Sequence, residues 1–210
     1  MSSNKANTQI FLASSSPRRR ELLTQLGVEF TIVPSTYEEH NDTPVMPWQL
    51  VERQALGKAK AAVLPPANNE GTAQISSVTT ESEVVKCVII GADTIVAVDN
   101  QVLGKPRNEE EAKAMLRTLA GRSHEVITGV ALLCGERQEV FHCVTNVNFY
   151  ALTEKEIEAY VATGEPTDKA GAYGIQGMGA YLVQSIEGSY TNVVGLPVEV
   201  VVRKLRDIIK

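Results

Sequence analysis

The sequence predicts an α/β fold with a mixed sheet, and three observations predict it. Helix and strand patterns interleave along the chain, two strand patterns adjoin after Arg122, and several helices carry their own start and stop signals. With 210 residues, 43% hydrophobic and 21% charged, the chain reads as one domain over 1–210 with a core from residue 8.

Gln9–Ala13 reads as a short strand. Pro17–Leu26 reads as a helix, with Ser16 at the N-cap, Pro17 at the first helical position, Gly27 just past the end and Leu22, Leu23 and Leu26 as its apolar face. Val28–Val33 predicts a second strand, 34–47 a polar loop containing Glu38 and Glu39, and Trp48–Leu64 a helix. Residues 65–83 (PPANNEGTAQISSVTTESE) have the composition of an exposed, flexible insertion. Val84–Val98 is an apolar, β-branched strand pattern, and Asp99-Asn100 is a turn into a short strand at Gln101–Leu103. Asn108 caps the clearest helix, which has glutamates at 109, 110 and 111, an apolar stripe of Ala112, Met115, Leu116 and Leu119, and Gly121 at its end. Glu125–Leu133 and Val140–Tyr150 read as neighbouring strands. Thr153 and Glu156 make a capping box before a helix to Ala162. Ala180–Ile186 and Val198–Ile209 close the chain as strand and helix.

Composition narrows the function. No apolar run approaches the ~20 residues of a membrane helix, and the start, MSSNKANTQ, lacks a signal peptide's apolar stretch. A cytoplasmic protein is expected, with Cys87, Cys134 and Cys143 as buried, reduced thiols. The net charge of −5 and 5% aromatic content argue against a nucleic-acid-binding face, which must neutralise many phosphates. A small anion is compatible with it. His40, His124 and His142 share no zinc-ligand spacing.

Three segments could carry chemistry. At LASSSPRRR, free helix-start amides, the hydroxyls of Ser14, Ser15 and Ser16, and the guanidiniums of Arg18 and Arg19 could hold phosphate, although an ordinary capped helix with solvated arginines gives the same pattern. VIIGADTIVAV places Asp93 and Thr94 inside an apolar strand, where a carboxylate needs a cation or donors. Mg²⁺ is one such cation, and a strand broken at Gly91, with Asp93 capping a turn, is the alternative. Lys58 falls on the inward stripe of its helix with Val51, Ala55 and Ala62, pointing into a cleft or else snorkelling to solvent. Lys105, in a GKP turn, and the adjacent Glu38 and Glu39 would not stand out alone.

Taken together, LASSSPRRRELL, GADTIV, LGKPRNEEEA, GRSHEVITGV, GEPTDKAGAYGIQG and GSYTNVVGLP resemble the Maf family of nucleotide pyrophosphatases along nearly the whole chain. The resemblance implies an elongated molecule whose twisted mixed sheet and flanking helices form two lobes around a nucleotide cleft, as in Maf and inosine triphosphatase-like folds, usually as a homodimer. It implies Mg²⁺, or Mn²⁺ or Co²⁺, assisting water attack at the α–β linkage. Asp93 matches the proton acceptor and Glu39 a second acidic residue near the metal. Ser14, Arg19, Lys58, Lys105 and, in DKAGAYG, Lys169 match polar or basic positions at the phosphate end. Arg18, Thr94 and Gln176 match the combination of the dTTP- and UTP-hydrolysing branch. The competing expectations are an inosine or xanthosine triphosphate pyrophosphatase and a non-catalytic, nucleotide-binding regulator of cell division.

Overall fold

The computed structural model describes residues 8–39, 45–66, 78–80 and 83–210. Its strands are β1 (Thr8–Leu12), β2 (Thr31–Ile32), β3 (Val78–Thr80), β4 (Glu83–Val98), β5 (Gln101–Leu103), β6 (Ser123–Cys134), β7 (Arg137–Phe149) and β8 (Val183–Glu187). The helices are α1 (Pro17–Gln25), α2 (Pro47–Lys60), α3 (Glu109–Leu119), α4 (Glu154–Val161), α5 (Tyr190–Val194) and α6 (Val198–Ile208). The sheet runs β2-β1-β4-β6-β7-β8, with β3 and β5 also on β4. β1 is parallel to β2 and β4, and the remaining pairs are antiparallel. It is therefore the mixed α/β sheet the sequence predicts. No described helix is long and apolar enough to cross a membrane.

β4 organises the fold. Its side chains alternate between faces. On one face Val88, Ile90 and Ala92 join the core with α1 and α6, whereas Val96 and Val98 join a second core with α3 and α4. On the other, Ile89, Ile95 and Ala97 pack beneath α2. Thr94 lies where the first face changes from one core to the other.

The strand pairing opens a cleft at the same place. One edge of β4 is covered by β6 from Ile89 to Ala97. The opposite edge is shared by β1, over Lys86–Ile90, and β5, over Val96–Val98. Residues 91–95 therefore have no strand neighbour on that edge among the described residues. The Ser14–Ser16 turn leaves β1 at one end of this gap, and Gly104 and Lys105 leave β5 at the other.

Several expectations are corrected. β4 runs unbroken through Gly91, so Asp93 caps no turn. β2 covers only two residues, because it hydrogen-bonds β1 alone at the sheet edge, while Val28 and Phe30 pack onto the core without joining the sheet. α2 stops at Lys60, since Ala62 bridges Ser35 and the Val63 amide donates to Pro34 O. Ala180–Leu182 belongs to a 3₁₀ segment, and β8 starts at Val183. Val78–Thr80 pairs with 83–85, so the expected insertion ends in a hairpin. Its residues 67–77 and 81–82, like His40, lie outside the described residues. The three cysteines are free thiols as expected, but each is only partly buried.

Candidate active site

Lys58 reaches Asp93 because α2 lies almost on the sheet backbone. A Cβ at Gly91 would fall 2.2 Å from the Ala55 carbonyl oxygen, and one at Gly129 would fall 2.3 Å from that of Val51. Only glycine admits the helix at this distance. Lys58, three residues beyond Ala55, then places Nζ 2.6 Å from Asp93 Oδ1. Gly57 makes similar room for the Tyr37 ring, which would lie 2.2 Å from a Cβ there, and the loop so held sets Glu39 Oε1 2.6 Å from the same Nζ. Ser35 Oγ adds a bond to Lys58 O at 2.9 Å.

One ammonium thus bridges two carboxylates, Asp93 buried and Glu39 half exposed. Partial burial raises the Glu39 pKa, but the hydrogen bond and charge of Lys58, aided by Lys105 and Arg19, outweigh it and hold the carboxyl below its ordinary value. Like charges this close need such a shared cation.

The other face of β4 presents a different arrangement. Arg19 is only 9% exposed. Its Nε donates to Gly195 O at 2.8 Å, Nη1 to Ser14 Oγ at 3.2 Å and Nη2 to Thr94 Oγ1 at 3.1 Å. All three acceptors are neutral, and Arg19 makes no ion pair with any described residue. Desolvation lowers its pKa, against the opposing pull of Asp93. Ser16 occupies the N-cap of α1 as expected, yet its side chain makes no cap bond; its amide donates to Ser14 Oγ at 3.2 Å.

At the cleft mouth, Asp168 joins the two sides. Arg18 Nη1 lies 3.3 Å from Asp168 Oδ2, and Lys169 Nζ lies 2.7 Å from Oδ1. Partial burial works against the Asp168 charge, but Lys169 and Arg18 outweigh it and keep its pKa low. Lys105 is exposed and forms no ion pair among the described residues, and the Gln176 amide makes no hydrogen bond there. All ten residues singled out by sequence (Ser14, Arg18, Arg19, Glu39, Lys58, Asp93, Thr94, Lys105, Lys169 and Gln176) line one cleft of about 1110 Å³.

The Maf-like protein family matches this chain over residues 9–208. The chain belongs to the Maf-like family. It is 48% identical to the dTTP/UTP pyrophosphatase of Symbiobacterium thermophilum, over 94% of this chain and 92% of that one. It is 47% identical to the dTTP/UTP pyrophosphatase of Bacillus mycoides, over 94% of each. A Bacillus cereus relative of the same name is 46% identical over the same shares.

Sequence reasoning missed Asp168 and Glu165, which line this Maf-like cleft, and Thr128 and Asn192, which are fully buried behind it. Asp168 could have been noticed as the carboxylate beside Lys169 in PTDK. Glu165 is invisible without the fold: its carboxylate accepts Tyr160 Oη at 2.9 Å and the amides of Met178 and Gly179 at 2.9 and 3.1 Å, shaping the 3₁₀ turn next to Gln176. Thr128 and Asn192 look like ordinary strand and helix residues until packed.

Proposed function

We propose that this Maf-like protein hydrolyses dTTP and UTP to the nucleoside monophosphate and pyrophosphate. The observation that carries this is Arg19, a buried guanidinium whose protein partners are all neutral, beside a carboxylate pair that already shares a cation. A buried cation without a counterion calls for an anion. The names of relatives at 46–48% identity support a nucleoside triphosphate as that anion.

In this reading Asp93 orients a water and accepts its proton as the water oxygen bonds the α-phosphorus. The bond from the α-phosphorus to the bridging oxygen breaks, and pyrophosphate leaves with its charge offset by Arg19, Lys105 and the Ser14 hydroxyl. Lys58 holds Asp93 and Glu39 close together and keeps the Glu39 carboxyl ionised. Lys169 is available to phosphate once it leaves Asp168.

Asp93 and Glu39 are hard oxygen donors that converge on one point, held by the Lys58 ammonium at 2.6 Å from each, and a divalent ion taken by these carboxylates would share or replace that ammonium. Mg²⁺ bound there, with Mn²⁺ or Co²⁺ as substitutes, would polarise the phosphate.

Gln176 is the best reader of the base. Arg18 is paired with Asp168 and Thr94 with Arg19, whereas the Gln176 amide is uncommitted and can meet a donor and an acceptor on a pyrimidine edge. A family match over 9–208 supports one domain with a core over 8–210. The resemblance also supports a homodimer and a cytoplasmic location; a sedimentation mass near 22.8 kDa would refute the dimer.

The test is pyrophosphate release from UTP, dTTP, ITP, XTP and 7-methyl-GTP, with and without Mg²⁺. UTP and dTTP should be fastest, and only with the metal. Faster release from 7-methyl-GTP overturns the pyrimidine preference, faster release from ITP or XTP favours the purine-sanitising alternative, and no release from any favours a non-catalytic regulator.

A further inference from the structure

The segment GSYTNVVGLP takes no part in the reaction described above, yet it is built around fully buried polar groups. Ser189 Oγ accepts the Asn192 amide at 3.1 Å, capping α5. The Asn192 side chain donates to Val126 O at 3.0 Å and to Thr145 Oγ1 at 2.9 Å, while Thr145 Oγ1 donates to Ser189 O at 3.1 Å. These bonds pin α5 across β6 and β7. They set two carbonyls, Asn192 O and Gly195 O, beside Thr128 and Arg19.

Thr128, fully buried on β6, is the register partner of Thr94 on β4. Its hydroxyl donates to Asn192 O at 3.0 Å and meets Thr94 Oγ1 at 2.9 Å. A hydroxyl has one proton, and a carbonyl can only accept. The shorter contacts give the Thr128 proton to Asn192 O at 3.0 Å and the Thr94 proton to Thr128 at 2.9 Å rather than to Gly195 O at 3.3 Å, which leaves a Thr94 lone pair for Arg19 Nη2. The donors run one way, from Arg19 to Thr94 to Thr128 to Asn192.

We propose that Thr128 is a positioning residue for Arg19, acting through Thr94, and that GSYTNVVGLP forms the socket that fixes the guanidinium in the cleft. Without the Thr128 hydroxyl, the Thr94 proton turns to Gly195 O, 3.3 Å away, which already accepts Arg19 Nε. Two of the three anchors of Arg19 are then disturbed together. This rests on Arg19 as the phosphate ligand.

The experiment measures binding of inorganic tripolyphosphate by calorimetry, which needs no turnover, in Thr128→Val, Thr128→Ala, Thr128→Ser, Arg19→Lys and the Thr128→Val/Arg19→Lys double variant. Thr128→Val and Thr128→Ala should bind about tenfold more weakly, and Thr128→Ser should recover to within about threefold of the wild type. In the Arg19→Lys background, Thr128→Val should cost almost nothing more, because lysine lacks the Nη2 that the chain holds. Thermal unfolding without ligand identifies the variant that is folded; Thr128→Ala stands in if Thr128→Val is not. Wild-type affinity in a folded hydroxyl-free variant overturns the proposal, as does an equal loss in both Arg19 backgrounds, the pattern of a purely structural residue. Wild-type protein that binds tripolyphosphate but cleaves no UTP leaves the socket standing and removes only the hydrolase reading; wild-type protein that binds none removes both.

Discussion

Lys58 and Arg19 approach adjacent residues of β4 from opposite faces and are satisfied in opposite ways. Lys58 lies between two carboxylates at 2.6 Å each. Arg19, more deeply buried, has three neutral acceptors. The first arrangement is electrostatically closed and holds acidic groups in place. The second is open, because desolvating a guanidinium without a counterion is costly unless a ligand supplies the charge. In the proposed reaction, base chemistry falls on the Asp93 face and anion capture on the Thr94 face, one residue apart.

Asp93→Asn should break the closed side. It keeps an oxygen for Lys58, so the fold should survive, while kcat for UTP falls about a thousandfold. Activity near wild type would remove Asp93 from the chemistry. Arg19→Ala attacks the open side and should lower kcat/KM about a hundredfold; a change in stability alone would mean that its buried charge serves folding rather than phosphate.

His124 sharpens the contrast, being another buried base beside a neutral partner, Tyr173 Oη at 2.8 Å. Burial lowers both pKa values, but arginine starts so high that it stays charged, whereas His124 falls from 6.5 to about 4. Between those values the unfolded chain binds the extra proton, so stability is lost as pH falls. Urea unfolding should show a loss of roughly 2 kcal/mol between pH 7 and pH 5 from this group, and His124→Gln should remove that part of the slope. An unchanged slope would contradict the neutral, buried ring. The smallest effect is expected for Glu39→Gln, which leaves Lys58 paired with Asp93 alone. UTP turnover should drop about tenfold, with more Mg²⁺ needed for half-maximal rate; an unchanged metal requirement would take Glu39 out of the metal site.

Much of this was legible in the chain. The box at Thr153 closes, with Thr153 N to Glu156 Oε2 at 2.7 Å, whereas at Asn108 only the cap bond forms, Glu111 N to Asn108 Oδ1 at 2.9 Å, because the Glu111 carboxylate is taken by Arg107. The Asp99-Asn100 turn has the positive φ at both residues expected of a tight hairpin. Lys58 was recognisable from helical spacing, and Asp93 from its apolar surroundings. Ala180–Leu182 misled because its apolar pattern fits a strand, while the Glu165 carboxylate gathers the preceding amides of Met178 and Gly179 into the 3₁₀ turn that runs on through it. Val28–Val33 misled because propensity marks residues that could pair, not the sheet edge on which pairing stops.

Sequence by itself determined which residues carry charge, where helices begin, and that a carboxylate sits in a strand, since these depend on covalent chemistry and neighbours within a turn. Only the tertiary structure decided which cation met a carboxylate. Gly91 and Gly129 let α2 descend until Lys58 touched Asp93, and the gap between β1 and β5 opened that strand edge. Packing of α1 against β4 and the Gly195 turn gave Arg19 three neutral acceptors and no counterion among the described residues. Contacts between groups 35 to 176 residues apart follow from backbone packing at van der Waals distance, which no local pattern encodes.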